Sequence, residues 1–167
     1  MAPCVKGIHH AAYRCKDSEE TRKFYEDFLG LKLVETLEIA VTKTGRNTKV
    51  LHTFYEMGDG SCVAFFEAGD MEFNFKKQHD FDLHIALHVE RETLLAMKKK
   101  GEDLGMEVRG VTDHDTIESI YFRDPNNYVV ELTTPVPGKA WDAASARQKL
   151  DRWSLEKGIV EKGVATK

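Results

Sequence analysis

The chain has 167 residues, with 24 Lys and Arg against 28 Asp and Glu and a formal net charge of −4. This length predicts one compact domain or two small fused modules, and the mixed, slightly acidic charge gives no basic footprint for nucleic acid. The sequence contains no apolar run of about 18 residues that would predict a membrane span, and its N-terminus lacks the pattern of a signal peptide.

The first predicted elements are a strand, a helix and three further strands. Residues 7–17 (GIHHAAYRCKD) alternate as a strand. Asp17 is the expected N-cap of a helix in SEETRKFYEDFLG, which Gly30 ends. Alternating patterns then predict strands in LKLVETLEI, KVLHTFYEM and CVAFFEA, and a glycine-rich turn at residues 58–60 joins the last two.

The same order returns after a polar connector at residues 71–80. A strand in DLHIALHVE and a helix in RETLLAMKKKGEDLG precede strands in MEVRGV, TIESIYF and YVVELTT. The period is about 74 residues, counted from His10 to His84. The sequence therefore predicts two copies of one β-α-β-β-β module, residues 1–70 and 81–135, each with an apolar sheet face that the other copy can cover.

Residues 136–167 belong to neither module. They form a predicted C-terminal helical tail with Trp141, Leu150 and Trp153. This tail contacts a partner chain or covers a sheet, and the pattern does not separate the two.

Glu131 stands out because it is a carboxylate within an apolar strand. Burial of a charged group is costly unless the group is paired. Either a structural ion pair or a bound cation is therefore expected at Glu131.

His10, followed by Asp17 and then FYEDFLGLKL, resembles the opening of vicinal-oxygen-chelate proteins, the group of glyoxalase, the bleomycin-resistance proteins and extradiol dioxygenases. The resemblance covers about residues 5–135. It implies an α+β fold in which two βαβββ modules form an open, U-shaped mixed β-barrel around a divalent metal, with a C-terminal helix added. It also implies metal ligands at His10, His84 and Glu131. Two imidazoles and one carboxylate are the facial triad of Fe(II) sites with open positions.

Two alternatives to this ligand set stay open at the sequence level. His10 and His84 are ordinary strand histidines in the simpler interpretation. A register error of one residue would exchange His10 for His9, because adjacent strand residues point to opposite faces.

The stretch HDTIESIYFRDPNNYVVE resembles the signature of ring-cleaving extradiol dioxygenases, and Asn127 stands where that signature has Gly or Pro. Asn tolerates a positive φ, so the turn is expected to form. The resemblance implies that Tyr121 and His114 hydrogen-bond the substrate oxygens as catalytic residues. In the alternative interpretation, Tyr121 is an ordinary aromatic residue of the strand and His114 is a solvated loop residue. The matching positions are His114, Ile120, Tyr121, Asp124, Pro125 and Glu131.

The chain departs from that group in the first module. Ser61 falls near the position where the two-domain dioxygenases have an acid/base histidine, so His52 or His79 would have to replace it. Glyoxalase-like members add a fourth ligand, and a pattern match of VAFFEAG onto YVVELTT places Glu67 there. Glu67 is either that ligand or a solvent-facing acid at a strand end.

The function implied by the resemblance is an Fe(II) extradiol-type dioxygenase that uses O2 to cleave a catechol-like vicinal diol, so the expected substrate is a small aromatic diol. One alternative is a glyoxalase-type isomerase, epimerase or lyase that uses Mn, Zn, Ni or Co. The other is a non-enzymatic small-molecule-binding module, like the drug-resistance members. A homodimer is expected because modules of this group often pair across chains.

The three cysteines, Cys4, Cys15 and Cys62, are odd in number and far apart. They form neither a zinc spacing nor a redox pair. We expect structural thiols in a reducing, cytoplasmic protein.

Overall fold

The structure is a computed structural model that describes residues 5–77 and 79–164, with side chains as far as residue 157. Cys4 lies outside the described residues. A short π-helical segment, Lys23–Phe28, continues the first helix. The elements are β1 (His10–Arg14), α1 (Ser18–Arg22), β2 (Lys32–Val41), β3 (Asn47–Glu56), β4 (Cys62–Ala68), β5 (His84–His88), α2 (Arg91–Asp103), β6 (Arg109–Asp113), β7 (Ile117–Arg123), β8 (Val129–Pro135) and α3 (Ala143–Val164).

The strands form two four-stranded sheets with the same topology. Their orders are β1-β4-β3-β2, called sheet A here, and β5-β8-β7-β6, called sheet B. In each sheet the first and last strands of the module pair in parallel, and the other neighbours are antiparallel. The predicted α+β class, with two βαβββ modules and a C-terminal helix, is confirmed.

The turns and caps follow from local sequence chemistry. The Asp17 side chain accepts a hydrogen bond from the Glu20 amide (2.8 Å) and caps α1. Gly30 ends the first helical segment with φ +83°, a conformation that costs glycine no steric strain. Asn127 adopts φ +71° in the turn before β8, so the predicted tolerance of Asn at this position is confirmed.

One predicted boundary is wrong. The strand expected in MEVRGV (106–111) begins at Arg109 and runs to Asp113. The reason is that the Met106 amide donates back to the Gly101 carbonyl and closes the end of α2. Residues 106–108 therefore belong to the helix exit.

The helix-covered faces of both sheets contribute to one hydrophobic core. Phe28, next to α1, packs edge-to-face on Phe122 of β7 with ring centroids 5.2 Å apart. Lys100 of α2 donates to the Phe28 carbonyl (2.6 Å). The first helical segment is therefore held against the second module. The shared core is built from Cys15, Phe24, Tyr25, Phe28, Tyr55, Val63, Phe65, Ile85, Leu87, Leu94, Ile120, Phe122, Val130 and Leu132.

A buried polar cluster also joins the modules. The fully buried Tyr25 hydroxyl donates to Asp124 (3.2 Å). The Asn126 side chain accepts from the Lys16 amide (2.8 Å) and donates to Thr21 (3.2 Å). Buried polar groups that bond each other in this way fix the relative position of the two modules.

The opposite face of each sheet is open. On sheet B the residues of β5 alternate, with Ile85 and Leu87 buried and His84, Ala86 and His88 exposed. On sheet A, His10 is likewise exposed. These two surfaces are called open face A and open face B below.

The large side chains described in the C-terminal tail cover neither open face. Trp141, which precedes α3, is 87% exposed, and Leu150 and Trp153 of α3 are 56% and 66% exposed. As far as the side chains are described, cover for a sheet of its own chain, one of the two roles predicted for the tail, is therefore not observed. Within the described residues, no helix combines the length and the apolar character that a membrane crossing requires.

Candidate metal and substrate site

Open face B contains a cavity of about 360 Å³. Side chains of β5, β6, β7 and β8 surround it, and the last residues of the connector form one edge. Its lining includes the predicted site residues His84, His114, Tyr121 and Glu131, together with Asp80, Phe81 and Arg109. The second module therefore brings four of the five predicted site residues to one place.

Glu131 is buried beside His84. Its side chain is 7% exposed, and its Oε2 atom lies 3.4 Å from His84 Nε2. The other polar contact is a long one, from the Tyr121 hydroxyl (3.4 Å). Arg and Lys do not pair with Glu131 among the described residues. If Glu131 is part of a structural ion pair, its partner is therefore the half-exposed His84 imidazole. This single contact offsets little of the cost of burying a carboxylate, so the geometry fits a cation site.

Tyr121 links Glu131 to the neighbouring hairpin. Its hydroxyl lies 2.7 Å from His114 Nε2 and 3.4 Å from Glu131 Oε1. Burial, followed by the negative charge of Glu131, raises the pKa of Tyr121 above its ordinary value. The phenol therefore keeps its proton at neutral pH and can donate it to an oxygen in the cavity.

His10 lies on the other sheet. Its ring contacts Phe54 and His52 of β3, with centroids 5.4 and 6.2 Å away, so it belongs to open face A. The described part of the chain contains no group of three or more His, Cys, Asp and Glu side chains that could hold a metal. Within one chain, the expected triad is present as the pair His84–Glu131, with His10 apart from it.

His9 and His10 also differ in their backbone pairing. The His9 carbonyl accepts from the Cys62 amide (3.0 Å), and His10 starts the paired strand. Their Nδ1 atoms are 2.8 Å apart. The contacts of His10 with Phe54 and His52 place its ring on open face A.

The sequence alone does not place His52 relative to the site. In the structure it is 6% exposed, stacks on Phe66 with centroids 3.6 Å apart, and contacts the Phe65 carbonyl through Nδ1 (3.0 Å). It therefore shares open face A with His10. His79 instead lies in the connector, where Nδ1 accepts from the Phe81 amide (3.2 Å).

Glu67 has a structural role. Its Oε2 atom accepts a hydrogen bond from the Ser18 amide (2.7 Å) at the start of α1. The strand register explains why the pattern match misplaced it: His84 pairs with Val129 as His10 pairs with Cys62. Counted from those pairs, the equivalent of Glu131 is Ala64 and not Glu67.

The two described cysteines are poor nucleophiles. Burial raises the pKa of the Cys15 thiol to about 11 and also raises the pKa of Cys62. Neither forms a disulfide. They fit the predicted role of structural thiols.

The repeated modules are those of a known protein class. The model of the Glyoxalase/Bleomycin resistance protein/Dioxygenase superfamily matches residues 7–132. This chain belongs to that superfamily, and the family resemblance expected from the sequence is confirmed.

Individual relatives narrow the comparison. The metallothiol transferase FosB of Bacillus licheniformis is 31% identical over 134 residues, which cover 78% of this chain and 76% of the relative. An integron cassette protein from the mobile metagenome of the Halifax Harbour sewage outfall is 25% identical, with a TM-score of 0.56, over 78% of this chain and 99% of that one.

A third similar structure is that of the genomically encoded fosfomycin resistance protein FosX from Listeria monocytogenes, in a mutant form complexed with Mn(II) and 1S,2S-dihydroxypropylphosphonic acid. It is 21% identical with a TM-score of 0.52, over 77% of this chain and 91% of that one. At this level of identity the likeness shows the fold alone.

Proposed function

We propose that this protein is a divalent-metal-dependent enzyme that adds an external nucleophile, a thiol or water, to a small oxygen-bearing electrophile. The observation that carries the proposal is the buried Glu131 carboxylate facing His84 at 3.4 Å. The free-energy cost of burying this carboxylate is offset when a cation binds between the two side chains. The likeness to a metallothiol transferase supports the reaction class.

His84, Glu131 and His10 form the proposed ligand set. Imidazole and carboxylate ligands suit Mn(II), Fe(II), Co(II), Ni(II) and Zn(II), so the donor set fits a divalent transition metal without selecting Fe(II). A cation bound there would act as a Lewis acid on a substrate oxygen.

We place His10 of a second copy at the third ligand position. Within one chain, the helix-covered faces of both sheets are joined through Phe28 and Phe122, and the described residues leave both open faces uncovered. Open face A of one copy set against open face B of another would bring His10 to the His84–Glu131 pair. If each copy sets its open face A against open face B of the other, the contact is isologous, and a twofold dimer would contain two equal sites.

The chain's own groups would bind and orient the substrate. Tyr121 donates a hydrogen bond to a substrate oxygen, and His114 holds the phenol in place at 2.7 Å. The aromatic wall of His52, Phe54 and Phe66 on open face A would exclude water from the other side. Because burial raises the pKa of both described cysteines, the attacking thiol is expected to be a co-substrate.

The test is metal analysis followed by a reaction screen. Protein purified without chelator should contain about one divalent cation per chain. With Mn(II), it should add a low-molecular-weight thiol or water to fosfomycin or a related small epoxide, followed by mass spectrometry. Metal-loaded protein that modifies no epoxide with any thiol or with water would overturn the reaction class, and protein that retains no metal would leave only a binding module.

Extradiol dioxygenation is the second candidate. The hydrogen-bonded series His114–Tyr121–Glu131 favours it, since these are the residues of the dioxygenase-like signature. His52 on open face A adds an imidazole near His10, in the module where the acid/base histidine was missing. Oxygen uptake by the Fe(II)-loaded protein on a panel of catechols, with a yellow ring-fission product, would select this candidate, and no uptake would reject it.

A further inference from the structure

The imidazole of His84 contacts the protein through both ring nitrogens. Its Nδ1 lies 3.3 Å from the Asp80 carbonyl oxygen, and its Nε2 lies 3.4 Å from Glu131 Oε2. Neither oxygen has a proton to give, so the neutral ring can donate to one of the two alone; only the Asp80 contact has hydrogen-bond geometry, which assigns the proton to Nδ1. In the neutral ring this leaves the lone pair on Nε2, which faces the carboxylate.

The Asp80 carbonyl is itself held in place by the side chain of the same residue. Asp80 Oδ2 accepts from Arg109 Nη2 of β6 (2.8 Å), and Asp80 Oδ1 accepts from Arg123 Nη2 of β7 (2.5 Å). These ion pairs lower the pKa of Asp80, chiefly through the hydrogen bond from Arg109. One carboxylate therefore fastens the end of the connector to two strands of sheet B.

The connector turn is closed by its own hydrogen bonds as well. The Asp82 amide donates to the His79 carbonyl (2.8 Å), and the His79 amide donates to Asp82 Oδ2 (3.0 Å). With the turn closed and its carboxylate anchored, the Asp80 carbonyl has little freedom to leave His84. The nitrogen of His84 that faces Glu131 is thus selected by Asp80, a connector residue outside the proposed ligand set.

We propose that Asp80 is a positioning residue that fixes the tautomer and orientation of His84 so that Nε2 is available to the metal. A metal-binding histidine generally donates its other N–H to a carbonyl or carboxylate, and loss of such a partner typically lowers metal affinity about 10- to 100-fold. The proposal rests on the metal site of the proposed function. It adds that the connector, which belongs to neither sheet, controls one ligand.

The first experiment needs no metal. Nitrogen-15 NMR of histidine-labelled, metal-free protein at about pH 8.5, well above the ordinary histidine pKa, reports which ring nitrogen of His84 carries the proton. The wild type should show the proton on Nδ1. Asp80→Ala should show a mixture of tautomers, because the turn is released from both arginines. A wild-type His84 protonated on Nε2 would overturn the proposal.

The second experiment titrates each protein with Mn(II) by calorimetry. Asp80→Ala should bind Mn(II) about 10-fold more weakly than the wild type. The matched control is Glu118→Ala, which removes a carboxylate of β7 that pairs with Arg91 of α2 (3.0 Å) and does not line the cavity. Equal affinities for Asp80→Ala and Glu118→Ala would overturn the proposal.

Arg123→Gln provides an independent variant, because it weakens the same anchor from β7 without removing a cavity side chain. It should shift the His84 tautomer and the Mn(II) affinity in the direction of Asp80→Ala, whereas Arg123→Lys should restore part of both. A failure of the proposed function is distinguishable: wild-type protein would then bind no Mn(II), while the NMR measurement would still report the role of Asp80 at His84.

Discussion

In the first module His10 lies opposite Cys62 across the β1–β4 pair, whereas in the second module His84 lies opposite Val129 across the β5–β8 pair. Two residues further along, Ala12 faces Ala64 in sheet A, and Ala86 faces Glu131 in sheet B. The scaffold is duplicated, but the carboxylate is present in one copy alone.

The open faces differ in the same way. Open face B carries an imidazole, a buried carboxylate and a phenol around one cavity. Open face A carries the His10 imidazole beside Phe54, together with His52 stacked on Phe66. In the proposed site, the second module would supply His84, Glu131 and Tyr121, and the first module would supply His10 and an aromatic wall, so the proposed site needs both modules.

The largest effect is expected at the residue that distinguishes the modules. Glu131→Ala should reduce divalent-metal retention by about 100-fold or more, because it removes the one negatively charged ligand of the proposed site. Metal analysis after gel filtration measures this. Full metal occupancy in Glu131→Ala would show that Glu131 is not a metal ligand and that the carboxylate does not distinguish the two modules in function.

Tyr121→Phe should separate binding from chemistry. The variant keeps every proposed ligand, so its metal content should equal that of the wild type. Turnover should fall about 100-fold, because the hydrogen-bond donor next to the reacting oxygen is lost. Steady-state kinetics of the metal-loaded protein measures the effect, and an unchanged kcat would remove Tyr121 from the mechanism.

Asp124 connects the halves within one chain. Asp124→Ala should lower the free energy of unfolding by about 2–3 kcal/mol, because the buried Tyr25 hydroxyl and the Asn126 and Tyr128 amides lose their acceptor. Urea denaturation measures the change. A loss below about 0.5 kcal/mol, the level of ordinary surface substitutions, would show that the polar cluster does not hold the modules together.

The smallest effect is expected at Glu67, which is the matched control for Glu131. Glu67→Ala should retain the wild-type metal content and lose about 1 kcal/mol of stability, since it removes a helix-capping carboxylate at Ser18. Parallel metal analysis and thermal denaturation measure both. Loss of metal here would return Glu67 to the ligand set.

The sequence predicted the fold well because its signals are local. Alternation indicated the strands, Asp17 and Gly30 marked the limits of the first helical segment, and Asn127 takes the expected positive φ. The repeat of the pattern then indicated two modules. None of these signals depends on contacts between distant segments.

The candidate site was predicted less completely for a physical reason. The resemblance implied His84, Tyr121 and His114 beside Glu131, and the structure brings these residues together because they occupy one module, where strand register fixes their distances. The distance between His10 and the His84–Glu131 pair depends on which faces of the two sheets pack together within one chain. An alternating strand has the same sequence pattern whichever face packs, so the sequence gives no signal for this distance. Sequence distance gave no signal for the contact of Asp80 with Arg109 and Arg123.

The central claim is that the metal site lies between two copies, and a mixed dimer tests it most directly. His10→Ala and His84→Ala chains are coexpressed with different tags, and the dimer that carries both tags is isolated for metal analysis. Each variant alone should retain no metal. The mixed dimer should regain about half of the wild-type content, because His10 of one chain meets the intact His84–Glu131 pair of the other in one of the two sites. A mixed dimer as empty as its parents would contradict the account.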